Sequence, residues 1–161
     1  MNIVLIGIMG CGKSTVGKLL AEKYHYDFID ADDYLVEKYQ MSIPEMFAIS
    51  EDYFRQKESE CLKDFIGKNN TVFAMGGGVI KKEGNAKLLK QMGTVFYLDR
   101  PISHIVSDVD TSGRPLLKDG ADKLYALFNE RKALYESACD YHLINDEDAN
   151  KMVEEISKKI L

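Results

Sequence analysis

Short apolar runs alternate with longer amphipathic stretches along this chain. The runs are NIVLIGI, YDFID, TVFAM, TVFYLD and YHLIN, which begin at residues 2, 26, 71, 94 and 141. Each is rich in β-branched or aromatic residues and is bounded by Gly, Asp or Asn, as strands are. Continuous rather than alternating apolarity is typical of strands covered on both faces, as in a parallel sheet.

The stretches between these runs have helical periodicity. In KSTVGKLLAEKY, which begins at residue 13, Val16, Leu19, Leu20 and Tyr24 fall on one face at helical spacing. The C-terminal stretch EDANKMVEEISKKIL has acidic residues early and lysines late, as the helix dipole favours. Alternating strands and helices predict one doubly wound α/β domain over residues 1–161, with ligands bound at the carboxyl ends of the strands.

Composition narrows the range of partners. With 161 residues and a formal charge of −5, the chain is long enough for one core and lacks the basic balance of a nucleic-acid-binding protein. No apolar run approaches the ~20 residues that span a bilayer. The start, MNIVLIGIMG, has no basic leader or cleavage site, so we interpret it as a first buried strand and not as a targeting segment. We expect no nucleic-acid or membrane partner, and a monomer.

The clearest chemical motif is GIMGCGKST, from Gly7 to Thr15, which fits G-x-x-x-x-G-K-[ST]. Glycines let the backbone point several N–H groups at phosphate oxygens, and the following helix presents its positive end to the same anion. Lys13 can reach the β- and γ-phosphates and the Ser14 hydroxyl can ligate Mg²⁺. We therefore expect ATP with Mg²⁺ to bind this phosphate loop, on Gly10, Cys11, Gly12, Lys13, Ser14 and Thr15.

The three cysteines, Cys11, Cys61 and Cys139, lie far apart and form no metal-binding pattern. Their odd number and the lack of a signal peptide favour a reducing cytoplasm. Within the phosphate loop, either Cys11 serves as a small side chain, or the helix end and Lys13 make it a reactive thiolate. The second interpretation predicts that Cys11 is alkylated faster than the other two.

A cluster of aspartates in FIDADDYL, from Phe28 to Leu35, follows the second apolar run. Side chains alternate along an extended segment, so Asp30 and Asp32 should share a side near the γ-phosphate while Asp33 points elsewhere. An acidic helix N-terminus beginning at Asp32 or Asp33 is the structural alternative.

Further polar residues form a candidate acceptor site. Arg55 and Glu58 in YFRQKE are three residues apart and can pair on one helix face, although isolated pairs of this kind are usually solvated. Gly76–Gly78 in MGGG let a ligand or backbone approach a strand end closely. Arg114 lies in a polar segment that we interpret as a lid over about 107–120, and Arg131 lies on a helix. Two arginines distant in sequence can fork a carboxylate.

Taken together, GIMGCGKST, FIDADDYLVE, YFRQKE, MGGG, SGRPLL and ERKALY resemble, in order and spacing, the shikimate kinase family over nearly the whole chain. The resemblance implies a P-loop NTPase fold with a five-stranded parallel sheet in the order 2-3-1-4-5, flanking helices and a mobile lid. It also implies transfer of the ATP γ-phosphate to the 3-hydroxyl of shikimate, on the route to chorismate and the aromatic amino acids.

The same resemblance assigns roles to single residues. Asp30 would join Ser14 around Mg²⁺, and Asp32 would bind the ring hydroxyls and act as the base, whereas Asp33 would only cap the next helix. Substrate binding would involve Arg55, oriented by Glu58, together with Gly77 and Arg131. Catalysis would depend on Lys13, Asp32 and Arg114, the last reaching over the phosphates when the lid closes.

Two other functions remain open from the residues alone. Another small-molecule P-loop kinase, of gluconate or nucleoside monophosphate type, shares the phosphate loop, although the second type usually has a GKGT-like loop and more lid arginines. A catalytically silent ATP-binding module would share the fold, but it has no physical need for the acceptor residues. No N-K-x-D motif of a regulatory GTPase is present.

The chain departs from the family beside the adenine. Ser107 stands where the family commonly has a lid arginine that stacks on the base, and residues 146–148 are acidic where basic or amide residues are frequent. Loss of one such stack costs on the order of 0.5–2 kcal/mol. We expect weaker or less base-selective nucleotide binding. A comparison of ATP with GTP as phosphate donors tests this, and strong selectivity for ATP would contradict it.

Overall fold

The computed structural model of the protein describes residues 1–105 and 118–160. Within these ranges the strands are β1 (Ile3–Ile6), β2 (Asp27–Asp30), β3 (Thr71–Ala74), β4 (Thr94–Asp99) and β5 (Tyr141–Ile144). The helices are α1 (Lys13–Tyr24), α2 (Ala31–Tyr39), α3 (Ile43–Ile49), α4 (Glu51–Ile66), α5 (Asn85–Met92), α6 (Lys118–Ala138) and α7 (Ala149–Ile160), and a 3₁₀ turn covers Val79–Lys81.

All five predicted strands form, and they pair in parallel in the order β2-β3-β1-β4-β5. This confirms the doubly wound sheet and its order. The chain leaves β1 toward β2 and β3 and then crosses to β4 on the other side. The connections therefore diverge at the carboxyl end of β1, where open α/β sheets bind ligands.

Burial of the strands follows their place in the sheet. The central strands β1 and β3 are buried at every position, and β4 is exposed only in part at its two ends. The edge strands β2 and β5 are half-buried or exposed at every position. The expectation of strands covered on both faces is thus confirmed for the centre and wrong for the edges.

Helix α1 lies against the sheet through the face that its periodicity predicts. Val16 and Leu20 are buried, and Leu19 and Tyr24 are half-buried against the core. Gly17 allows close approach, because a methyl group there would come within 2.6 Å of the Phe28 ring. The helix that carries the phosphate loop is therefore held firmly on the core.

The predicted lid, Arg114 and Ser107 lie outside the described residues, except that positions 118–120 begin helix α6. No helix in the described part of the chain is both long enough and apolar enough to cross a membrane.

Candidate active site

A cavity of about 400 Å³ opens at the carboxyl edge of the sheet, where the connections diverge. Its lining combines the phosphate loop with the ends of β2, β3 and β4. The lining residues are Met9, Gly10, Gly12, Lys13, Ser14, Thr15, Asp30, Asp32, Ala74, Met75, Gly76, Gly77 and Arg100. The structure thus brings the predicted nucleotide residues Gly10, Gly12 and Lys13–Thr15, and both candidate aspartates, into one space. Cys11 is buried and does not line this cavity.

The phosphate loop ends in a helix whose first turn is open to an anion. Gly12 is the N-cap of α1 with φ of 101°, a left-handed conformation that favours glycine, and no side chain caps the helix there. The first turn carries no acidic residue. Nζ of Lys13 lies over the loop, where it donates to the carbonyl oxygens of Gly7 at 2.6 Å and Ile8 at 3.1 Å.

Asp30 ends β2 and has two structural contacts. Its Oδ2 accepts from the Ser14 hydroxyl at 3.2 Å, which places a carboxylate and a hydroxyl side by side at the phosphate loop. Its Oδ1 accepts from the backbone N–H groups of Asp32 and Asp33 and so caps α2. The expectation that Asp33 caps this helix is therefore wrong.

Asp32 reaches the cavity from the first turn of α2, because that helix already begins at Ala31. The alternation argument that grouped it with Asp30 assumed a longer strand and was wrong, although the two side chains do line the same cavity. Burial, and after it the Asp30 carboxylate, raises the pKa of Asp32 above its usual value, whereas Lys13 opposes this effect. Asp32 is therefore a stronger base than an exposed aspartate.

Arg55 and Glu58 form a buried pair on α4, at 2.9 Å between Nη1 and Oε1. Only 13% of the Arg55 side chain and 4% of the Glu58 side chain are exposed, so the solvated surface pair that this spacing suggests is wrong. Phe54 lies under the guanidinium at 5.0 Å. Burial raises the pKa of Glu58 to about 7 although the Arg55 charge opposes it.

The glycine triplet after β3 is the surface on which these charges meet. A methyl group on Gly76 would lie 2.8 Å from Oδ1 of Asp32 and 3.1 Å from Oε2 of Glu58. One on Gly78 would lie 2.3 Å from Nη2 of Arg55. Glycine at these positions therefore leaves space for charged side chains of the protein itself, in addition to any space for a ligand.

Arg131 reaches the same triplet from α6. It is 8% exposed, and a methyl group on Gly77 would be 3.6 Å from its Nη1. Tyr135, one turn later, donates its hydroxyl to the Gly77 carbonyl oxygen and stacks on Tyr97 of β4. In the described part of the chain, Nε of Arg131 and Nε of Arg55 are buried without a hydrogen-bond partner. Each of these two guanidinium groups thus has one buried N–H without a hydrogen-bond partner among the described residues.

Arg55 does not line the first cavity. It lines a second cavity of about 520 Å³, together with Glu51, Asp52, Gln56, Lys81 and Lys82. Its charge still acts on Asp32 across Gly76–Gly78, since it lowers the pKa of that carboxyl. The candidate acceptor residues are thus gathered around the triplet and not all within one cavity.

Sequence reasoning missed two residues beside the phosphate loop. Arg100, directly after β4, lines the cavity and donates from Nη1 to the Gly10 carbonyl oxygen at 3.0 Å. Asn145, directly after β5, donates from Nδ2 to the Cys11 carbonyl oxygen at 2.7 Å. Both residues directly follow a predicted strand, and this position was the signal in the sequence that could have identified them.

Cys11 itself is fully buried, as Cys61 nearly is, whereas Cys139 is half-buried. Nζ of Lys13 lies 3.7 Å from Sγ of Cys11, as the reactive-thiolate interpretation requires, but complete burial opposes alkylation of this thiol.

The buried Glu58 carboxyl gives a pH prediction. Its pKa rises from 4.5 to about 7 on folding, so between these values the folded state holds a proton that the unfolded state has lost. Stability from this group is therefore highest at low pH and falls as pH rises through the window. Between about pH 5 and about pH 7.5, the free energy of unfolding should fall by about 2 kcal/mol more in the parent protein than in Glu58→Gln.

Urea unfolding at several pH values measures this difference. Asp52→Asn, in the exposed first turn of the same helix, is the matched control and should keep the pH dependence of the parent protein. Identical pH dependence in the parent protein and Glu58→Gln would show that Glu58 does not hold its proton in the folded state.

Comparison with known proteins agrees with this geometry. The family model described as shikimate kinase matches residues 9–161. A shikimate kinase of Clostridium botulinum (strain Alaska E43 / Type E3) is 45% identical over 160 residues, covering 99% of this chain and 97% of its own length.

Two solved structures are similar over nearly the whole chain. Shikimate kinase from Acinetobacter baumannii, in complex with shikimate, has a TM-score of 0.89 and 33% identity, covering 99% of this chain and 92% of that one. Shikimate kinase from Aquifex aeolicus has a TM-score of 0.83 and 34% identity, with coverage of 99% and 96%. Phosphate loop, sheet order, family model and full-length relatives agree, and the chain belongs to the shikimate kinase family.

Proposed function

We propose that this chain transfers the γ-phosphate of ATP to the 3-hydroxyl of shikimate, giving shikimate 3-phosphate and ADP. The observation that carries the proposal is the joint lining of one cavity by Lys13, Ser14 and Asp32, beside a glycine triplet that is flanked by two buried arginines. A phosphate donor and a hydroxylated acid can meet in such a space. The family membership supports the same pair of substrates.

The donor side is the phosphate loop. N–H groups of the loop and of the first turn of α1 would bind the phosphate oxygens, and Lys13 would exchange its bonds to the Gly7 and Ile8 carbonyl oxygens for bonds to phosphate. Arg100 adds a second cation to the cavity lining. Arg114 is proposed to contact the phosphates from the lid, in line with the resemblance to the family.

The residues present fit Mg²⁺. Magnesium is usually held by one or two protein oxygens, several waters and the substrate phosphates, and not by a protein cage. Ser14 Oγ and Asp30 Oδ2 are the adjacent oxygens at the loop, and no cluster of three or more acidic, histidine or cysteine ligands occurs among residues 1–105 and 118–160. Ser14 would be the direct ligand and Asp30 would act through water. When bound, the ion would neutralise charge on the phosphates.

The acceptor side binds a carboxylate and positions a hydroxyl. Arg131, and Arg55 held by Glu58, would bind the carboxylate of shikimate around the glycine triplet, with the Gly77 N–H contributing. Buried guanidinium groups with free donors are matched by an anion and not by a neutral sugar. Asp32 would then face the ring hydroxyls.

In the transfer itself, Asp32 accepts the proton of the 3-hydroxyl while that oxygen attacks the γ-phosphorus. The bond from the γ-phosphorus to the β–γ bridging oxygen breaks, and ADP leaves with the electron pair. Lys13 and the loop N–H groups stabilise the charge that develops on the transferred group. The raised basicity of Asp32 suits its role as the proton acceptor.

Two rival functions make different demands on the acceptor site. A gluconate- or nucleoside monophosphate-type kinase would phosphorylate its own acceptor, and a silent module would phosphorylate none. An assay of ADP release with shikimate, gluconate and AMP as acceptors separates the three. We expect ADP release in the presence of shikimate and not in the presence of gluconate or AMP. Turnover that requires gluconate or AMP, or no turnover with any of the three acceptors, refutes the proposal. We also propose that the protein is a monomer and that it acts in a reducing cytoplasm.

Asp32→Asn tests the base. The substitution keeps the shape of the side chain but removes its ability to take a proton, so kcat should fall by about 10²- to 10⁴-fold. The Kd for ATP should change by less than about threefold, because the loop is untouched. Asp33→Asn, on the next residue and exposed, is the control and should keep kcat. A kcat of Asp32→Asn close to that of the parent protein would exclude Asp32 as the base.

Arg131→Met tests carboxylate binding. Methionine keeps much of the buried volume and removes the charge, so the KM for shikimate should rise by about 10- to 100-fold, as loss of hydrogen bonds to a charged group implies. The KM for ATP should stay nearly constant, because the nucleotide lies at the phosphate loop. Lys132→Met, on the exposed neighbouring residue, is the control. A rise confined to the KM for ATP would place Arg131 on the donor side instead.

A further inference from the structure

Asn145 is a buried amide at the end of β5, and the mechanism above does not use it. Only 7% of the residue is exposed. Its backbone N–H donates to the Asp99 carbonyl oxygen at 2.9 Å, which ties it to the end of β4. Its side-chain Nδ2 donates to the Cys11 carbonyl oxygen at 2.7 Å, in a buried position. Asn145 therefore connects the sheet directly to the phosphate loop.

This hydrogen bond controls the direction of a whole peptide group. In a trans peptide the C=O of one residue and the N–H of the next point in opposite directions. A Cys11 carbonyl held toward Asn145 thus directs the Gly12 N–H to the other side, and Gly12 lines the cavity. A flipped peptide would turn the carbonyl oxygen, with its partial negative charge, toward the phosphates.

The loop has conformational freedom that makes such a restraint useful. Gly10 and Gly12, on either side of Cys11, have φ of 77° and 101°, and glycine enters and leaves such conformations easily. The approach of Asn145 also requires glycine at position 12, because a methyl group there would lie 2.8 Å from Nδ2. The amide and the glycine therefore depend on each other.

We propose that Asn145 is a positioning residue for phosphate binding: its amide holds the Cys11 carbonyl away from the cavity and so keeps the loop ready for the phosphates of the nucleotide. The proposal rests on the proposed nucleotide site. It predicts an effect on the phosphates and not on the base, although Asn145 also borders the acidic cavity at residues 146–148.

Asn145→Asp keeps the shape of the side chain and replaces the donor by an oxygen that repels the carbonyl. Asn145→Ser is a second variant that removes the contact by shortening the side chain. The readouts are calorimetric Kd values for ATP, for tripolyphosphate, which has no base, and for adenosine, which has no phosphate. These values do not depend on turnover, so they remain informative even if shikimate is not the acceptor.

Asn2→Leu is the matched control. Asn2 is another buried asparagine whose Nδ2 donates to backbone carbonyl oxygens, those of Lys68 and Met92, but it lies at the amino end of the sheet. Its loss should lower the melting temperature without changing any of the three Kd values. It therefore separates general destabilisation from an effect on the loop.

The expected result is a rise of at least about tenfold in the Kd for ATP and for tripolyphosphate in both Asn145 variants, since a lost buried hydrogen bond is worth about this much. The Kd for adenosine should stay within about twofold, because adenosine has no phosphate for the loop N–H groups to bind. A weaker adenosine complex with unchanged tripolyphosphate binding would overturn the proposal. So would unchanged values throughout, or equal changes in Asn2→Leu.

Discussion

Charged side chains approach the backbone of the glycine triplet closely, and the proposed acceptor site depends on this constraint. Asp32, Glu58, Arg55 and Arg131 come from three different helices and meet at Gly76–Gly78. Burying a charge is costly unless it is paired. Asp32 and Arg55 lie closer to Gly76 and Gly78 than a methyl group would permit, whereas Arg131 lies at ordinary contact distance from Gly77. A side chain at Gly78 would displace the Arg55 guanidinium before it met any ligand. The glycines thus allow the charged side chains to come together, and they also allow a ligand to approach the backbone.

The surrounding packing holds this triplet in place from several directions. The Tyr135 hydroxyl bonds to the Gly77 carbonyl oxygen, and the Tyr135 ring stacks on Tyr97 in the sheet. On the other side, Asn85 bonds to the Val79 carbonyl oxygen and accepts from Ser59 of α4, both in buried positions. Helices α4 and α6 therefore cannot shift relative to the triplet without breaking these hydrogen bonds. Such support gives the two arginines a defined position for an anion.

What could be predicted from the sequence was set by local pattern. The strands, their parallel order and the phosphate loop follow from apolar runs, from short motifs and from the family resemblance that these motifs carry. The capping role of Asp30 could not be predicted, because it depends on β2 ending one residue before α2 begins. The burial of the Arg55–Glu58 pair depends on the later triplet, and the contacts of Arg100 and Asn145 join residues about 90 and 134 positions apart. Local spacing has no information about such distant partners.

The two halves of the site are coupled through Asp32. Its pKa is raised by burial and by Asp30 and lowered by Lys13. A phosphate that took Lys13 as its counter-ion would weaken that lowering effect, because the lysine charge would then be shared with the phosphate oxygens. Mg²⁺ held by Ser14 and Asp30 would act in the opposite direction, because its positive charge would lower the pKa of a neighbouring carboxyl group. The charges that set the pKa of Asp32 are therefore the same charges that the proposed nucleotide site uses.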